Sequence, residues 1–143
     1  MLLPISLTLA AACALVNLWL AVRCVRIRFK ERALHGDAGH PLLAQRMRAQ
    51  ANFTEYTPIL LILTALVELA IGSPLWLWIV AAAYAAARVA HGFGMDRANP
   101  NLLRAGGALI TWAATAGLAA AALYAAYHAT RETPAPPALA ARV

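Results

Sequence analysis

The stretch Arg48-Ala49-Gln50-Ala51-Asn52-Phe53-Thr54-Glu55-Tyr56-Thr57-Pro58 holds the residues of this sequence best suited to chemistry. Arg48, Asn52, Glu55 and Tyr56 stand at i, i+4, i+7 and i+8, so on a helix a cation, an amide, a carboxylate and a phenol share one face. That face runs directly into an uncharged stretch from Tyr56 to Val67. An unpaired ionisable group inside a membrane costs about 3 kcal/mol or more, so such groups face a bundle interior or a wet cavity. Two roles meet that requirement: a ligand site, or an intramembrane ion pair of Glu55 with Arg48 or Arg88 that only fixes helix packing. The residues alone leave both open.

The elements that must position this stripe follow from composition. Of 143 residues 62% are hydrophobic and 13% charged, and the mean hydropathy is +0.64, far from soluble averages. The solvent is lipid. Met1 to Val22 carries no charge and matches the roughly 20 residues that span a hydrocarbon core. A signal peptide carries positive charge ahead of its apolar run, whereas here Arg23, Arg26 and Arg28 follow it, which favours a retained helix. Gly36, Asp37, Gly39 and Pro41 mark a loop. A second helix starts near Pro41 and continues to about Ile71, with a kink and no break expected at Pro58. The Gly72-Ser73-Pro74 turn leads into a third helix, Leu75 to about Phe93, antiparallel to the second. An uncharged run from Ala105 to Thr130 supplies a fourth. The expected fold class is an all-α integral membrane four-helix bundle. Residues 1–130 form one transmembrane domain, with helices at about 2–29, 41–71, 75–93 and 103–129. Pro134, Pro136 and Pro137 mark 131–143 as a disordered tail.

Other features take plainer roles. Cys13 and Cys24 lie on one helix, roughly 16 Å apart at its rise per residue, too far to pair. His35 and His40 read as solvated loop residues without metal-ligand spacing. The net charge of +6 raises nucleic acid as a partner, but the basic residues flank apolar runs and form no separate polar module, which argues against it. Gly92-x-Gly94 opens no strand-turn-helix unit and is no phosphate loop. Ala113, Gly117 and Ala121 recur every four residues, a spacing that lets helices approach closely, within the chain or at a subunit boundary.

The run R-x-x-x-N-x-x-E-Y-x-P from Arg48 to Pro58, entering the second of four transmembrane helices, resembles the MAPEG family, the membrane-associated proteins in eicosanoid and glutathione metabolism. The resemblance covers roughly residues 1–128: Arg23, Arg26 and Arg28 close helix 1, Arg88 lies late in helix 3, and Arg104 opens helix 4. The Gly36-Asp37-Ala38-Gly39 loop is similar to that of bacterial members. The resemblance implies a homotrimer that holds glutathione between neighbouring subunits near the cytoplasmic face. By motif position Arg48, Gln50, Asn52, Glu55 and Tyr56 would contact glutathione, with Arg26 or Arg28 adding charge from helix 1 and Arg88 and His91 lining the site from helix 3. Arg104 would take the place of the arginine that stabilises the thiolate. Where characterised eicosanoid enzymes carry tyrosines late in helix 3, this chain has His91 and Met95, and its spacing from Arg88 to Arg104 differs.

The implied activity is that of a glutathione-dependent transferase or peroxidase, with glutathione as co-substrate and a lipophilic electrophile arriving from the bilayer. Glutathione has two carboxylates, an amino group and a thiol, and Arg28, Arg48 and Glu55 are the residue types that such a ligand needs. Lowering a thiol pKa by two units takes about 2.7 kcal/mol, within reach of one well-placed guanidinium. One alternative is a family member that binds thiols without turnover. Another is a small multidrug exporter, since a membrane carboxylate suits a proton-coupled carrier. Against the exporter, helix 1 as delimited above has no acidic residue, and Glu55 sits near one interface, away from the midplane.

A composition high in Ala and Arg and low in Lys points to a bacterial inner membrane. Arg23, Arg26, Arg28, Lys30, Arg32, Arg46 and Arg48 flank the first loop and Arg88, Arg97 and Arg104 the third, so ten of 12 basic residues predict both loops cytoplasmic and both termini periplasmic. Trp76, Trp78, Tyr124 and Tyr127 would then meet the opposite interface. A periplasm-dependent reporter fused to the C-terminus is expected to be active. Activity of cytoplasm-dependent fusions alone would overturn the topology.

Overall fold

Four helices make up nearly all of residues 2–132, the part of the chain that the computed structural model describes. They are α1 (Pro4–Glu31), α2 (Pro41–Ile71), α3 (Leu75–Gly94) and α4 (Leu102–Glu132), and no strand occurs among the described residues. All four are long and apolar enough to cross a membrane. Their outer faces show Leu7, Leu15, Ile62, Leu66, Ile79 and Leu109, as expected of helices whose solvent is lipid and whose backbone polar groups pair internally. Arg131 and Glu132, expected in the tail, continue α4, where the Arg131 guanidinium lies 4.4 Å from the centre of the Tyr127 ring. The rest of the expected disordered tail lies outside the described residues.

α2 and α3 form the middle of the bundle. α1 and α4 each pack on both of them and do not meet one another. Leu20, Phe53, Leu60, Tyr84 and Leu118 are among the side chains that fill the interior. α2 passes through Pro58 unbroken. One residue earlier, the Thr57 hydroxyl donates to the Phe53 carbonyl at 2.6 Å and so accepts from the Tyr84 hydroxyl at 2.7 Å, a polar contact tying α2 to α3.

Polar fastenings hold the two ends. α1 begins at Pro4 with no side-chain cap of its own, and Glu68, near the end of α2, supplies the missing acceptor. One carboxylate oxygen accepts from the Ile5 N–H at 2.9 Å and the Ser73 hydroxyl at 2.7 Å. The other accepts from the Ser6 N–H at 2.8 Å and the Ser6 hydroxyl at 2.6 Å. A carboxylate at a helix N-terminus answers both the orphan N–H groups and the positive end of the dipole. At the opposite end Asp96, just beyond α3, pairs with Arg23 of α1 and receives two bonds from Arg46 of α2, at 3.1 and 3.0 Å. Arg23 also donates to the Gly92 carbonyl at 3.0 Å and lies 4.5 Å from the Trp19 ring centre. Two arginines that the sequence places beside the first loop thus tie the helices together.

Replacing Glu68 with Gln keeps the volume but turns one acceptor into a donor facing donors. A buried donor left unpaired costs about 1–3 kcal/mol, so Glu68→Gln is expected to lower the thermal unfolding midpoint in detergent. An unchanged midpoint would show that the start of α1 is held by something else.

Candidate functional site

The Asp96 end opens into a cleft of about 420 Å³ between α2, the end of α3 and the start of α4. Arg48 and Asn52 line it from α2, His91 and Met95 from α3 and the residue after it, and Asn101 and Arg104 from the start of α4. The two final helices come unusually close here. A Cβ on Gly94 would stand 2.5 Å from the Arg104 backbone nitrogen, and one on Gly107 would stand 2.6 Å from the His91 Cβ. Both positions must lack a side chain for α4 to take its place.

Asn101 secures the junction. Its Nδ2 donates to the Gly94 carbonyl at 2.9 Å, and its Oδ1 accepts from the Arg104 N–H at 3.1 Å, an N-cap bond. The close approach also lets His91 Nδ1 donate to the Arg104 carbonyl at 3.0 Å. The Arg104 guanidinium is exposed in the cleft and has no partner among the described residues.

Arg88 lies beneath the cleft and is only 2% exposed. Its Nη2 donates to Asn52 Oδ1 at 2.9 Å and its Nη1 to the Thr111 hydroxyl at 3.2 Å, while Nε has no partner. The guanidinium also faces the Phe53 ring, 5.7 Å from its centre. Among the described residues no carboxylate pairs with it. Of the acids nearby, Glu55 sits 3.4 Å from Arg48, and Asp96 is taken by Arg23 and Arg46. The cleft therefore carries net positive charge and is suited to an anion.

Arg48, Asn52, His91 and Arg104 share this cleft, and Arg88 supports it from behind Asn52. Tyr56, one turn deeper on α2, accepts a bond from Trp112 Nε1 at 3.1 Å. Of the two pairings the sequence left open for Glu55, the structure forms the one with Arg48 and gives Arg88 to Asn52. On the single chain Glu55 is open to the surface, with its side chain 48% exposed. Gln50 and Arg28 lie on the far side of α2, in a second groove of about 490 Å³ that Cys24 and Thr54 also line. Arg28 there donates to the Ala33 carbonyl at 3.4 Å. Arg26 is exposed and lines neither groove. One chain thus splits the nominated residues across the two sides of α2. Sequence reasoning missed Asn101, although an asparagine directly before an apolar run is an N-cap signal. It also missed Thr111, which carried no signal.

The fold and the cleft define the class: a membrane-spanning four-helix bundle with an arginine cluster gathered around a cleft at one end. The chain belongs to the MAPEG family, whose model matches residues 6–124, a span that includes every cleft residue. That family generally uses glutathione and includes glutathione transferases and peroxidases. No curated protein matches the chain in sequence.

Arg88 generates a test. Arg88→Met fills similar volume without a charge, so the several kcal/mol that desolvating an ion costs is relieved, against about 1–3 kcal/mol for the Asn52 acceptor left unpaired. The ligand-free variant is expected to melt no lower than the parent. Asn52→Leu, which strands the guanidinium, is expected to melt distinctly lower. Equal losses in both would identify Arg88 as a structural tie and not as a charge awaiting a partner.

Proposed function

We propose that the cleft binds glutathione as co-substrate and that the protein is a glutathione-dependent transferase or peroxidase acting on a lipophilic electrophile from the bilayer. The observation that carries this reading is the unbalanced charge: Arg48 and Arg104 line one cleft, Arg88 lies behind its Asn52 with no carboxylate among the described residues, and the nearby acids Glu55 and Asp96 are held by Arg48 and by Arg23 with Arg46. Glutathione complements that pattern. Its carboxylates suit Arg48 and the Asn52–Arg88 pair, and its ammonium suits Glu55. The thiol falls to Arg104, whose free guanidinium favours a thiolate. Membership of a family that generally uses glutathione supports the choice of ligand.

The site in this proposal is completed between subunits of a homotrimer in the inner membrane, with the arginine end cytoplasmic. Arg28 and Gln50 face away from the first cleft, and a neighbour's second groove brought against it would reunite the two sets. The openness of Arg48 and Glu55, at 66% and 48%, leaves both free to meet such a neighbour. Ala113 and Gly117 are exposed on α4, where small side chains permit close helix contact.

Glutathione binding to detergent-purified protein, followed by conjugation of a generic aromatic electrophile, tests this function. Loss of a uniform binding contact raises KM, whereas loss of a thiolate contact lowers turnover. Arg48→Ala is therefore expected to raise the KM for glutathione about tenfold with little change in kcat. Arg104→Ala removes a cation that favours the thiolate. Its kcat is expected to fall and its rate profile to move to higher pH by about one to two units. Binding without conjugation would make the protein a thiol-binding member of the family, and absence of binding would overturn the proposal.

A further inference from the structure

We propose that His91 is the base that removes the thiol proton in the arginine-lined cleft; this rests on the glutathione reading above. His91 is 5% exposed and lines that cleft. Its Nδ1 is bonded to the Arg104 main-chain carbonyl at 3.0 Å. A carbonyl oxygen only accepts, so the hydrogen sits on Nδ1, and Nε2 of the neutral ring presents a lone pair. Nε2 has no partner among the described residues and is not sealed within the protein. The absent side chain of Gly107 makes room for the His91 Cβ, so α4 comes close enough for this bond to form. This is the arrangement of an activated nucleophile: a base at the site, oriented by a third group.

Arginine cannot fill this role. A guanidinium stabilises a thiolate but keeps its own protons at any working pH, so it has nowhere to put the one that leaves sulfur. Here one residue serves both needs, since the Arg104 carbonyl orients the base while its side chain lies free beside the same cleft. The charged groups around His91 are Arg88 on its own helix, Arg104 on α4 and Arg48 on α2. From α1, Arg23 reaches the adjacent Gly92 carbonyl, and its partner Asp96 is also held by Arg46. Glu55 is engaged with Arg48. No unpaired carboxylate of the cleft competes with His91 for the proton.

In the step itself the S–H bond breaks, the proton joins Nε2, and the electron pair stays on sulfur. The thiolate then faces an imidazolium and Arg104. With a halogenated aromatic electrophile, the C–S bond forms and the halide departs with the pair from its bond to carbon. The imidazolium gives its proton to water and the site is reset.

A proton count decides the matter. Glutathione is added to purified full-length protein in weak buffer with a pH indicator, about one unit below the ordinary thiol pKa of about 8.5. Bound thiolate is followed by its ultraviolet absorbance and total binding by dialysis. If His91 takes the proton, thiolate forms in the parent with far less than one proton released per thiolate. His91→Gln can still donate to the Arg104 carbonyl but cannot accept a proton. It is expected to bind glutathione within about threefold and to lose about a hundredfold in kcat, within the range for a general base. Any thiolate it forms is expected to release one full proton. One proton released per thiolate by the parent would overturn the proposal even if His91→Gln failed to fold, and so would a fully active His91→Gln. Absence of any bound glutathione in dialysis would instead remove the reading on which the proposal stands.

Discussion

A guanidinium buried within a membrane bundle and, among the described residues, left without a carboxylate sets the terms for this protein. Among the described residues Arg88 is bonded only to the neutral oxygens of Asn52 and Thr111. Desolvating a single ion costs several kcal/mol even after the protein relaxes. Hydrogen bonds to a charged group return about 1.5–3 kcal/mol each, which leaves little or no surplus. The contrast with Arg23 and Arg46 is informative, because those two share a carboxylate, that of Asp96. The same end of the bundle therefore holds a clamp built on a carboxylate and, on α3, a charge that no carboxylate answers among the described residues. Arg48 and Arg104 add to it from the two helices that flank the cleft. An anionic ligand meets this demand, and the MAPEG family to which the chain belongs generally uses one.

The rest of the structure keeps that end in register. Glu68, enclosed at the far end, joins the start of α1 to the end of α2 through both carboxylate oxygens. Asp96 joins α1, α2 and the segment after α3 at the cleft end. Between these fastenings the helices meet mostly through apolar packing, which in lipid has no hydrophobic drive behind it and depends on fit. Gly94 and Gly107 provide that fit where it matters most, drawing α4 against α3 so that the Arg104 carbonyl reaches His91. A cleft built on backbone contact is rigid, and a rigid arrangement of donors holds charge without reorganising around it.

Much of this was readable in the residues. The four apolar runs appear as four helices, and the polar stripe of α2 does face a cleft through Arg48 and Asn52. Gln50 was separable in principle, since it stands about 200° around the helix from Arg48 and must point elsewhere; Arg28, on α1, was not. The family resemblance grouped them with the stripe because it describes an assembly, whereas helical periodicity describes one chain. The partners of Glu68 and Asp96 were not readable. Apart from Ser73, five positions from Glu68, their contacts join residues 50 or more positions apart, and no periodicity records which cation meets which acid. His91 was named as a site residue, but the tautomer that makes it useful depends on a carbonyl thirteen positions away.

Native mass spectrometry of the protein released from detergent, with glutathione or its neutralised diester present, tests the central claim most directly. If the uncompensated arginines of a cleft completed between subunits call for an anion, trimers carrying up to three glutathione molecules are expected, and trimers exposed to the diester should remain empty. Monomers that retain glutathione would contradict the shared site. Equal retention of glutathione and its diester would contradict the role given to charge.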